Sequence, residues 1–476
     1  LKTYNRIAEI QADLFAGALT CEQLVNFYLS QIDAKKDLNA FLEVWADQAK
    51  TRAEAIDKKI KAGNAGKLAG LVMALKDVIT YQNHKVSASS KILENFESQF
   101  SSTAVERLLA EDVIFIGRTN CDEFAMGASN ENSAYGPVLN AADKTRVPGG
   151  SSGGSAVAVQ ANMCHAALGT DTGGSIRQPA AFTGVYGLKP TYGKVSRWGL
   201  LAYASSFDQI GPLTKSLEDM EKIIEIISGP DDYDSTVSQD NYDALFHAEP
   251  NGKYHFAVMK EAIDHPGIHS EIKKMTLETI QNLENQGHKI SYFTFPLLDY
   301  MVPVYYVLTT AEASSNLSRY SGLLFGKRSN AATDLETTFT LSRTEGFGTE
   351  VKRRIMLGTF VLSSDYYDAY YKKGQKVRRL IQQKTDEILE TADAILIPTT
   401  STPAFKIGEK SKDPISMYLA DLFTVQANLA GIPAISIPYS QTAEGLPMGM
   451  QLMGKNFEER KLFALSKILL ECKNQA

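Results

Sequence analysis

The chain has 476 residues, of which 44% are hydrophobic and 22% charged, the proportions of an ordinary globular protein and not of a disordered, collagen-like or disulfide-stapled chain. Lys and Arg number 49 against 55 Asp and Glu, a formal net charge of −6, which gives no electrostatic footprint for autonomous nucleic-acid binding. The four cysteines, at 21, 121, 164 and 472, form no CxxC pair and no zinc spacing, so a reducing, cytoplasmic setting is expected; with no run of 18 apolar residues and no secretory leader, neither a membrane span nor export is expected.

Taken in chain order, Thr20-Cys21-Glu22-Gln23 has the form of a capping box opening a helix through Leu29 and Ile32. Residues 45–62 are rich in Ala, Lys and Glu and stop before Gly63, which predicts a second helix with a glycine terminator. Thr103-Ala104-Val105-Glu106 opens another, and Val113-Ile114-Phe115-Ile116 follows as a short buried strand. The acidic segment Asp231–Asp240 reads as a surface connection. Further on, the pattern predicts a strand at Phe256-Ala257-Val258, a helix from about Ser270 to Gln286, a strand at Ile290–Phe293 and a long helix over 366–391. Ala394–Pro398 and Ala434–Pro438 read as buried strands. Apolar strands separated by helices argue for an α/β sheet covered on both faces.

The centre of the chain is different. Nine of the 34 glycines fall between Pro148 and Tyr192, in two Ser/Gly clusters, Gly149-Gly150-Ser151-Ser152-Gly153-Gly154-Ser155 and Gly169-Thr170-Asp171-Thr172-Gly173-Gly174-Ser175. Glycines beside a serine let a substrate approach the main chain, and successive N–H groups before Ser175 can hold a developing oxyanion. On composition alone the same clusters describe flexible loops or a phosphate cradle, although neither G-x-x-x-x-G-K-[ST] nor G-x-G-x-x-G occurs. Gly149–Gly153 also has the G-x-S-x-G form of a hydrolase elbow, which needs a histidine base further along. The seven histidines, at 84, 165, 247, 255, 265, 269 and 288, lie in no recognisable motif and none follows 288. The elbow match is read as accidental.

A lysine can serve as the base instead. In Leu68-Ala69-Gly70-Leu71-Val72-Met73-Ala74-Leu75-Lys76-Asp77-Val78 one ammonium ends an apolar run. Desolvation disfavours its charged form, and bringing a pKa of about 10.4 to about 7 takes on the order of 4.6 kcal/mol. Strand alternation turns Asp77 to the opposite face. From this segment alone the lysine also reads as one snorkelling from a strand end.

Lys76, Gly149–Gly154 and Gly173-Gly174-Ser175-Ile176-Arg177, with 75 residues from Lys76 to Ser151 and 24 from Ser151 to Ser175, resemble the amidase signature family, as does the block Gly184-Val185-Tyr186-Gly187-Leu188-Lys189-Pro190-Thr191. The resemblance implies a Ser–cis-Ser–Lys triad in which Ser175 is the nucleophile, Ser151 the relay after a cis Gly150–Ser151 peptide, and Lys76 the base. It implies an oxyanion hole from the N–H groups of Thr172, Gly173, Gly174 and Ser175, with Asp171 and Arg177 holding the loop. The implied fold is α/β, the amidase signature fold, a large mixed β-sheet of about eleven strands sandwiched between α-helices. It would be one domain over 1–476, with N-terminal helices in 1–65, the Ser/Gly loops in 66–215, and the rest of the core with helical insertions in 216–476.

Within that family, Asp122-Glu123-Phe124-Ala125-Met126-Gly127, Glu131-Asn132-Ser133-Ala134-Tyr135-Gly136, Thr191–Arg197, Ala311–Leu317, Arg353–Gly358 and Asn428–Pro433 resemble the branch of A subunits of aspartyl/glutamyl-tRNA amidotransferases. That branch implies a glutaminase feeding ammonia to B and C subunits in a heterotrimer. Partner subunits there use ATP and magnesium and make most of the tRNA contacts, so no cofactor and no metal is expected in this chain. It also implies that Tyr305, Arg354 and Asp421 position free glutamine. A guanidinium can grip the α-carboxylate through two hydrogen bonds and a carboxylate can pair with the α-ammonium, whereas a hydrophobic amide would leave both charges unpartnered. Without the resemblance, Arg354 in Lys352-Arg353-Arg354 reads as a solvated helix face and Asp421 in Tyr418–Leu422 as an ordinary helix residue. Ala128, Asn130 and the Ala141-Ala142 pair depart from the usual branch residues without touching these positions. The competing expectations are a stand-alone amidase for aliphatic or aryl amides and a non-catalytic scaffold subunit.

Overall fold

In the computed structural model, which describes residues 2–239, 252–410, 417 and 420–474, the apolar runs become neighbours in one mixed sheet. Its eleven strands are β1 (Phe41–Val44), β2 (Val72–Lys76), β3 (Ile114–Thr119), β4 (Ala166–Thr170), β5 (Tyr186–Lys189), β6 (Ile210–Thr214), β7 (His255–Met259), β8 (Lys289–Phe293), β9 (Ala394–Pro398), β10 (Ala434–Gln441) and β11 (Pro447–Met453). They run in the order β1-β3-β2-β4-β6-β5-β10-β11-β9-β7-β8. Two parallel blocks, β3-β2-β4 and β9-β7-β8, are joined by an antiparallel ribbon through β6, β5, β10 and β11. Every residue of β2, β3, β4 and β9 is buried, as strands covered on both faces require.

Helices α1 (Ile7–Phe15), α2 (Cys21–Ala34), α3 (Ala46–Lys61) and α4 (Thr103–Ala110) come first. Next are α5 (Gly153–Gln160) and α6 (Arg177–Thr183), which open directly from the two Ser/Gly clusters, then α7 (Leu217–Ile227), α8 (Glu261–Asp264) and α9 (Ser270–Asn285). An all-helical stretch follows, α10 (Leu298–Asn316), α11 (Leu335–Gly346), α12 (Thr349–Leu362) and α13 (Lys373–Thr391). Helices Val425–Ala430 and Glu459–Asn474 are the last of the described residues.

Local signals hold where a specific hydrogen bond supports them. The capping box forms in both directions, Gln23 N–H to Thr20 Oγ1 at 3.1 Å and Thr20 N–H to Gln23 Oε1 at 3.0 Å, and α3 stops short of Gly63 at φ +72°. Helix α4 opens at Thr103 as read, capped by Ser102, whose hydroxyl accepts Val105 N–H at 3.2 Å. Other readings change. The long helix predicted over 366–391 begins instead as a π turn, Asp368–Lys372, that runs into α13. Asp421 lies in the turn before helix Val425–Ala430 and not inside a helix; Tyr418 and Leu419 of that stretch fall outside the described residues. The acidic segment is tied down as well as turn-like: Asp234 pairs with Arg197 at 3.0 Å and Asp231 accepts the Thr103 hydroxyl at 2.5 Å. Its last residue, Asp240, lies outside the described residues.

The topology places the site. β2 and β4 are adjacent and parallel, with Leu75 opposite Leu168, so Lys76 and Thr170 leave the sheet side by side. The crevice beyond the carboxyl ends of parallel strands is where open α/β sheets bind ligands.

Candidate active site

Lys76 ends β2 with its side chain wholly buried, so it does not snorkel. Nζ lies 2.7 Å from Ser151 Oγ, 2.9 Å from Ser152 Oγ and 2.8 Å from Thr170 Oγ1. Three hydroxyls and, among the described residues, no carboxylate hydrogen-bond to it. Burial pushes the amine down to about 8, against the more distant pull of Cys121, Asp122, Asp171 and Asp208. Asp77 faces the other way, as alternation predicts, and accepts Arg118 Nη1 at 2.6 Å. The Ser152 hydroxyl donates to Thr170 C=O at 3.1 Å, so toward Lys76 it accepts. That leaves Ser151 and Thr170 as the hydroxyls able to give a proton to a neutral amine.

The peptide Gly150–Ser151 is cis. Gly150 is sterically required, because a Cβ there would stand 2.1 Å from Asp122 Oδ2 and 2.8 Å from Asn130 N. Its N–H is held by Gln178 Oε1 at 3.0 Å, which ties the first Ser/Gly loop to α6.

The second loop is pinned from within. Arg177 Nε and Nη2 each reach Asp171 at 3.0 Å, both residues fully buried. Asp171 also accepts N–H groups from Gly174 at 2.8 Å and Ile176 at 3.2 Å and the Asn428 amide at 2.9 Å. Burial alone would raise this carboxyl, but Arg177 and these hydrogen bonds hold it well below the usual carboxylate range. Pinning leaves the main-chain N–H groups of Thr172, Gly173 and Ser175 without a protein acceptor among the described residues. Gly174 is the correction to the sequence reading: its N–H is spent on Asp171 Oδ1, so it is not an open donor. Its φ of +135° and a Cβ position 2.3 Å from Thr424 Oγ1 explain the glycine.

Ser175 keeps 7% of its surface exposed and is fastened by its carbonyl, which accepts Ser152 N–H at 3.1 Å. Its hydroxyl makes no hydrogen bond to Ser151 among the described residues, so the link from Lys76 to Ser151 is closed and the link from Ser151 to Ser175 is open. Catalytic hydrogen bonds of this kind commonly tighten only when substrate binds.

Tyr305, Arg354 and Asp421 come from α10, α12 and the turn before Val425–Ala430. Tyr305 lies over the loop, since a Cβ on Gly173 would meet its ring at 2.5 Å. Arg354 is only 4% exposed, so it is not a solvated helix face. Nε donates to Glu350 Oε1 at 2.8 Å, Nη1 to Tyr203 Oη at 2.9 Å, and the guanidinium lies over the rings of Tyr203 and Tyr306 at 5.6 and 5.2 Å. Asp421 accepts Tyr306 Oη at 3.1 Å. Burial pushes its carboxyl up to about 7, although Arg354 and the Tyr306 hydroxyl act to lower it. Opposite charges therefore flank one ring. Tyr203, Tyr306, Ser152 and Thr170 were not singled out from sequence. The Tyr305-Tyr306 pair inside an apolar helix is indistinguishable there from a core stripe, and Tyr203 sits in no motif.

The amidase family's sequence model matches residues 23–463. The glutamyl-tRNA(Gln) amidotransferase A subunit of Chlorobium chlorochromatii (strain CaD3) is 48% identical over 465 residues, covering 97% of this chain and 98% of that protein. The chain belongs to the amidase family. Among solved amidase folds, the glutamyl-tRNA(Gln) amidotransferase A subunit from Thermotoga maritima matches with a TM-score of 0.77 and 42% identity, covering 93% of this chain and 90% of that one. A peptide amidase from Stenotrophomonas maltophilia matches with a TM-score of 0.81 and 28% identity over 98% of this chain and 96% of its own. The amidase architecture is thus shared by relatives with differently named activities. Among the described residues no group of three His, Cys, Asp or Glu could hold a metal ion, and no helix is long and apolar enough to cross a membrane.

Proposed function

We propose that this amidase is the glutamine-hydrolysing subunit of a tRNA-dependent amidotransferase. The observation that carries the reading is the pair of buried, opposite charges, Arg354 and Asp421, on either side of Tyr306 and next to the loop of Ser175. Free glutamine needs both charges, one for its α-carboxylate and one for its α-ammonium. A neutral amide would bring no group of opposite charge to either of them.

Neutral Lys76 takes a proton from Ser151 while Ser151 takes one from Ser175, whose Oγ attacks the side-chain carbonyl. The N–H groups of Thr172, Gly173 and Ser175 receive the oxyanion, each donor of this kind being worth about 2.7–4 kcal/mol in acyl transfer. The relay returns the proton to the nitrogen, the C–N bond breaks, and ammonia leaves a γ-glutamyl ester on Ser175. Water cleaves the ester to glutamate. Ammonia passes to B and C subunits in a heterotrimer, where the partner uses ATP and magnesium to activate glutamate or aspartate on tRNA and makes most of the tRNA contacts. The chain acts as one amidase unit over 1–476, in the cytoplasm.

The test is ammonia release from glutamine by the chain with and without its partner subunits. Release that depends on Ser175 and is abolished in Ser175→Ala supports the reading. Rapid turnover of aliphatic or aryl amides by the chain alone, with glutamine inert, would show a stand-alone amidase instead.

A further inference from the structure

The helix that carries Arg354 is held at its start by residues from the opposite side of the site. α11 and α12 meet at a two-residue corner, Phe347–Gly348. Glu123, 2% exposed, accepts Gly348 N–H on Oε2 at 2.8 Å and the Ser90 hydroxyl on Oε1. The same hydroxyl lies 3.1 Å from Gly346 C=O, at the end of α11. A Cβ on Gly348 would stand 2.3 Å from Glu123 Oε2, so any larger residue at the corner has to displace the carboxyl. Next in the chain, Phe124 at φ +50° packs its ring on Phe347 at 5.7 Å and Tyr320 at 5.3 Å. On the other flank, Asp122 N–H donates to Ser151 C=O at 3.2 Å, and its carboxylate receives N–H groups from Asn130 and Asn132 at 2.9 and 3.1 Å. Three consecutive residues thus touch the Ser151 loop at one end and the start of α12 at the other.

We propose that Glu123, together with Ser90, is a positioning residue for glutamine: by clasping the Phe347–Gly348 corner it fixes Arg354 relative to Ser175 and sets the span between the substrate's carboxylate and its reacting amide. The inference rests on the glutaminase reading and names what holds its specificity geometry. Arg354 lies six residues beyond Gly348, about 9 Å along the helix axis. A tilt of about 6° at the corner would shift it by on the order of 1 Å, a misplacement that can cost about a hundredfold.

Proton bookkeeping supports the clasp. Ser90 has one hydrogen and faces two acceptors, Glu123 Oε1 and Gly346 C=O. With Glu123 ionised, one acceptor goes unserved. With Glu123 protonated, its O–H donates to Ser90, Ser90 donates to Gly346, and Gly348 N–H donates to Oε2. Burial pushes the Glu123 carboxyl up to about 7, against the hydrogen bonds of Ser90 and Gly348 and the charges of Lys352 and Lys91. A glutamine at 123 reproduces the protonated pattern, its amide N–H donating to Ser90 and its carbonyl accepting from Gly348.

The experiment measures ammonia release by the full chain with its partner subunits, from glutamine and from 4-aminobutanamide, which is glutamine without the α-carboxylate. Glu123→Ala should raise KM for glutamine tenfold or more with kcat changed less than threefold, and should leave kcat/KM for 4-aminobutanamide within twofold. Glu123→Gln should match the parent on both substrates. Gly348→Ala should reproduce Glu123→Ala and carries the test if that variant does not fold. An unchanged glutamine KM in the alanine variants, an equal loss on both substrates, or Glu123→Gln behaving as Glu123→Ala would each overturn the proposal. A parent enzyme that cleaves 4-aminobutanamide but not glutamine would overturn the glutaminase reading itself, and this inference with it.

Discussion

Removing the Ser152 hydroxyl asks whether Lys76 works as an uncharged base. Ser152 gives its hydrogen to Thr170 C=O and so presents only lone pairs to Lys76 Nζ, 2.9 Å away. An acceptor favours the ammonium, because a hydrogen bond to a charged group is worth about 1.5–3 kcal/mol against about 1 for a neutral one. Ser152→Ala therefore withdraws on the order of 1–2 kcal/mol from the charged form, about one pH unit. Lys76 titrates at about 8 in the parent, so at pH 7 about one molecule in ten carries the neutral amine, and in the variant about half do. The log of kcat/KM for glutamine should climb with unit slope from about pH 7 to 8 in the parent and be level there in Ser152→Ala, with Asp421 adding a second proton dependence below about 7 in both. Ammonia release at glutamine concentrations below KM, from pH 6 to 9, reads both profiles, with Lys76→Ala as the baseline. An inflection that stays put or moves upward in the variant, or a parent profile flat between pH 6 and 8, would refute the neutral-lysine mechanism.

Arg354→Ala removes one of two buried charges and should weaken glutamine by about 2–5 kcal/mol, thirtyfold or more in KM; a change below threefold in steady-state kinetics contradicts the assigned grip. Asp421, with its carboxyl pushed up to about 7 by burial, must ionise to meet the ammonium of glutamine. Protonation removes that partner, so KM should rise as pH falls below about 7, and Asp421→Asn should have a high KM that no longer depends on pH in that range. Arg177→Met strands the fully buried Asp171 carboxylate and should destabilise the fold by about 3–5 kcal/mol; urea unfolding that shows less than 1 kcal/mol would mean that the loop is held by other bonds.

How far the sequence can be read depends on whether the deciding contact is local. The capping box at Thr20, the glycine stop at 63 and the apolar runs of β2, β3 and β9 follow from neighbours a few residues apart, and they hold. Family motifs brought Lys76, Ser151 and Ser175 to attention, because the spacing of the two Ser/Gly clusters is itself local information. The spent N–H of Gly174 was not legible: it depends on Asp171 Oδ1 folding back onto a residue three positions on, while Asn428 holds that same oxygen and Arg177 Nε the other. Tyr203 was equally hidden. Its role comes from an Arg 151 positions away in the chain reaching its hydroxyl, and no pattern around Ala202-Tyr203-Ala204 encodes that meeting. Asp421 escaped its predicted helix because a tertiary turn, with Thr424 bonded to Gly173 C=O at 2.6 Å, overrides the local preference.

Burial alone does not make a lysine a base, and the protein contains its own control. Lys189, at the end of β5, is as fully buried as Lys76. Burial and the nearby Arg177 charge push its amine down to about 7, with Asp171 and Glu459 opposing. Its Nζ, however, faces Pro190 C=O at 2.8 Å and Gln209 Oε1 at 3.1 Å. Carbonyl oxygens can only accept. A neutral Lys189 turned toward them finds no proton to withdraw, whereas a neutral Lys76 faces Ser151 Oγ, which both gives and takes. What separates the two amines is therefore the chemistry of the neighbours and not the size of the desolvation shift. Replacing Lys189 by Met should change stability while leaving the shape of the pH–rate profile intact, and a profile that lost its inflection would assign the base to the wrong lysine.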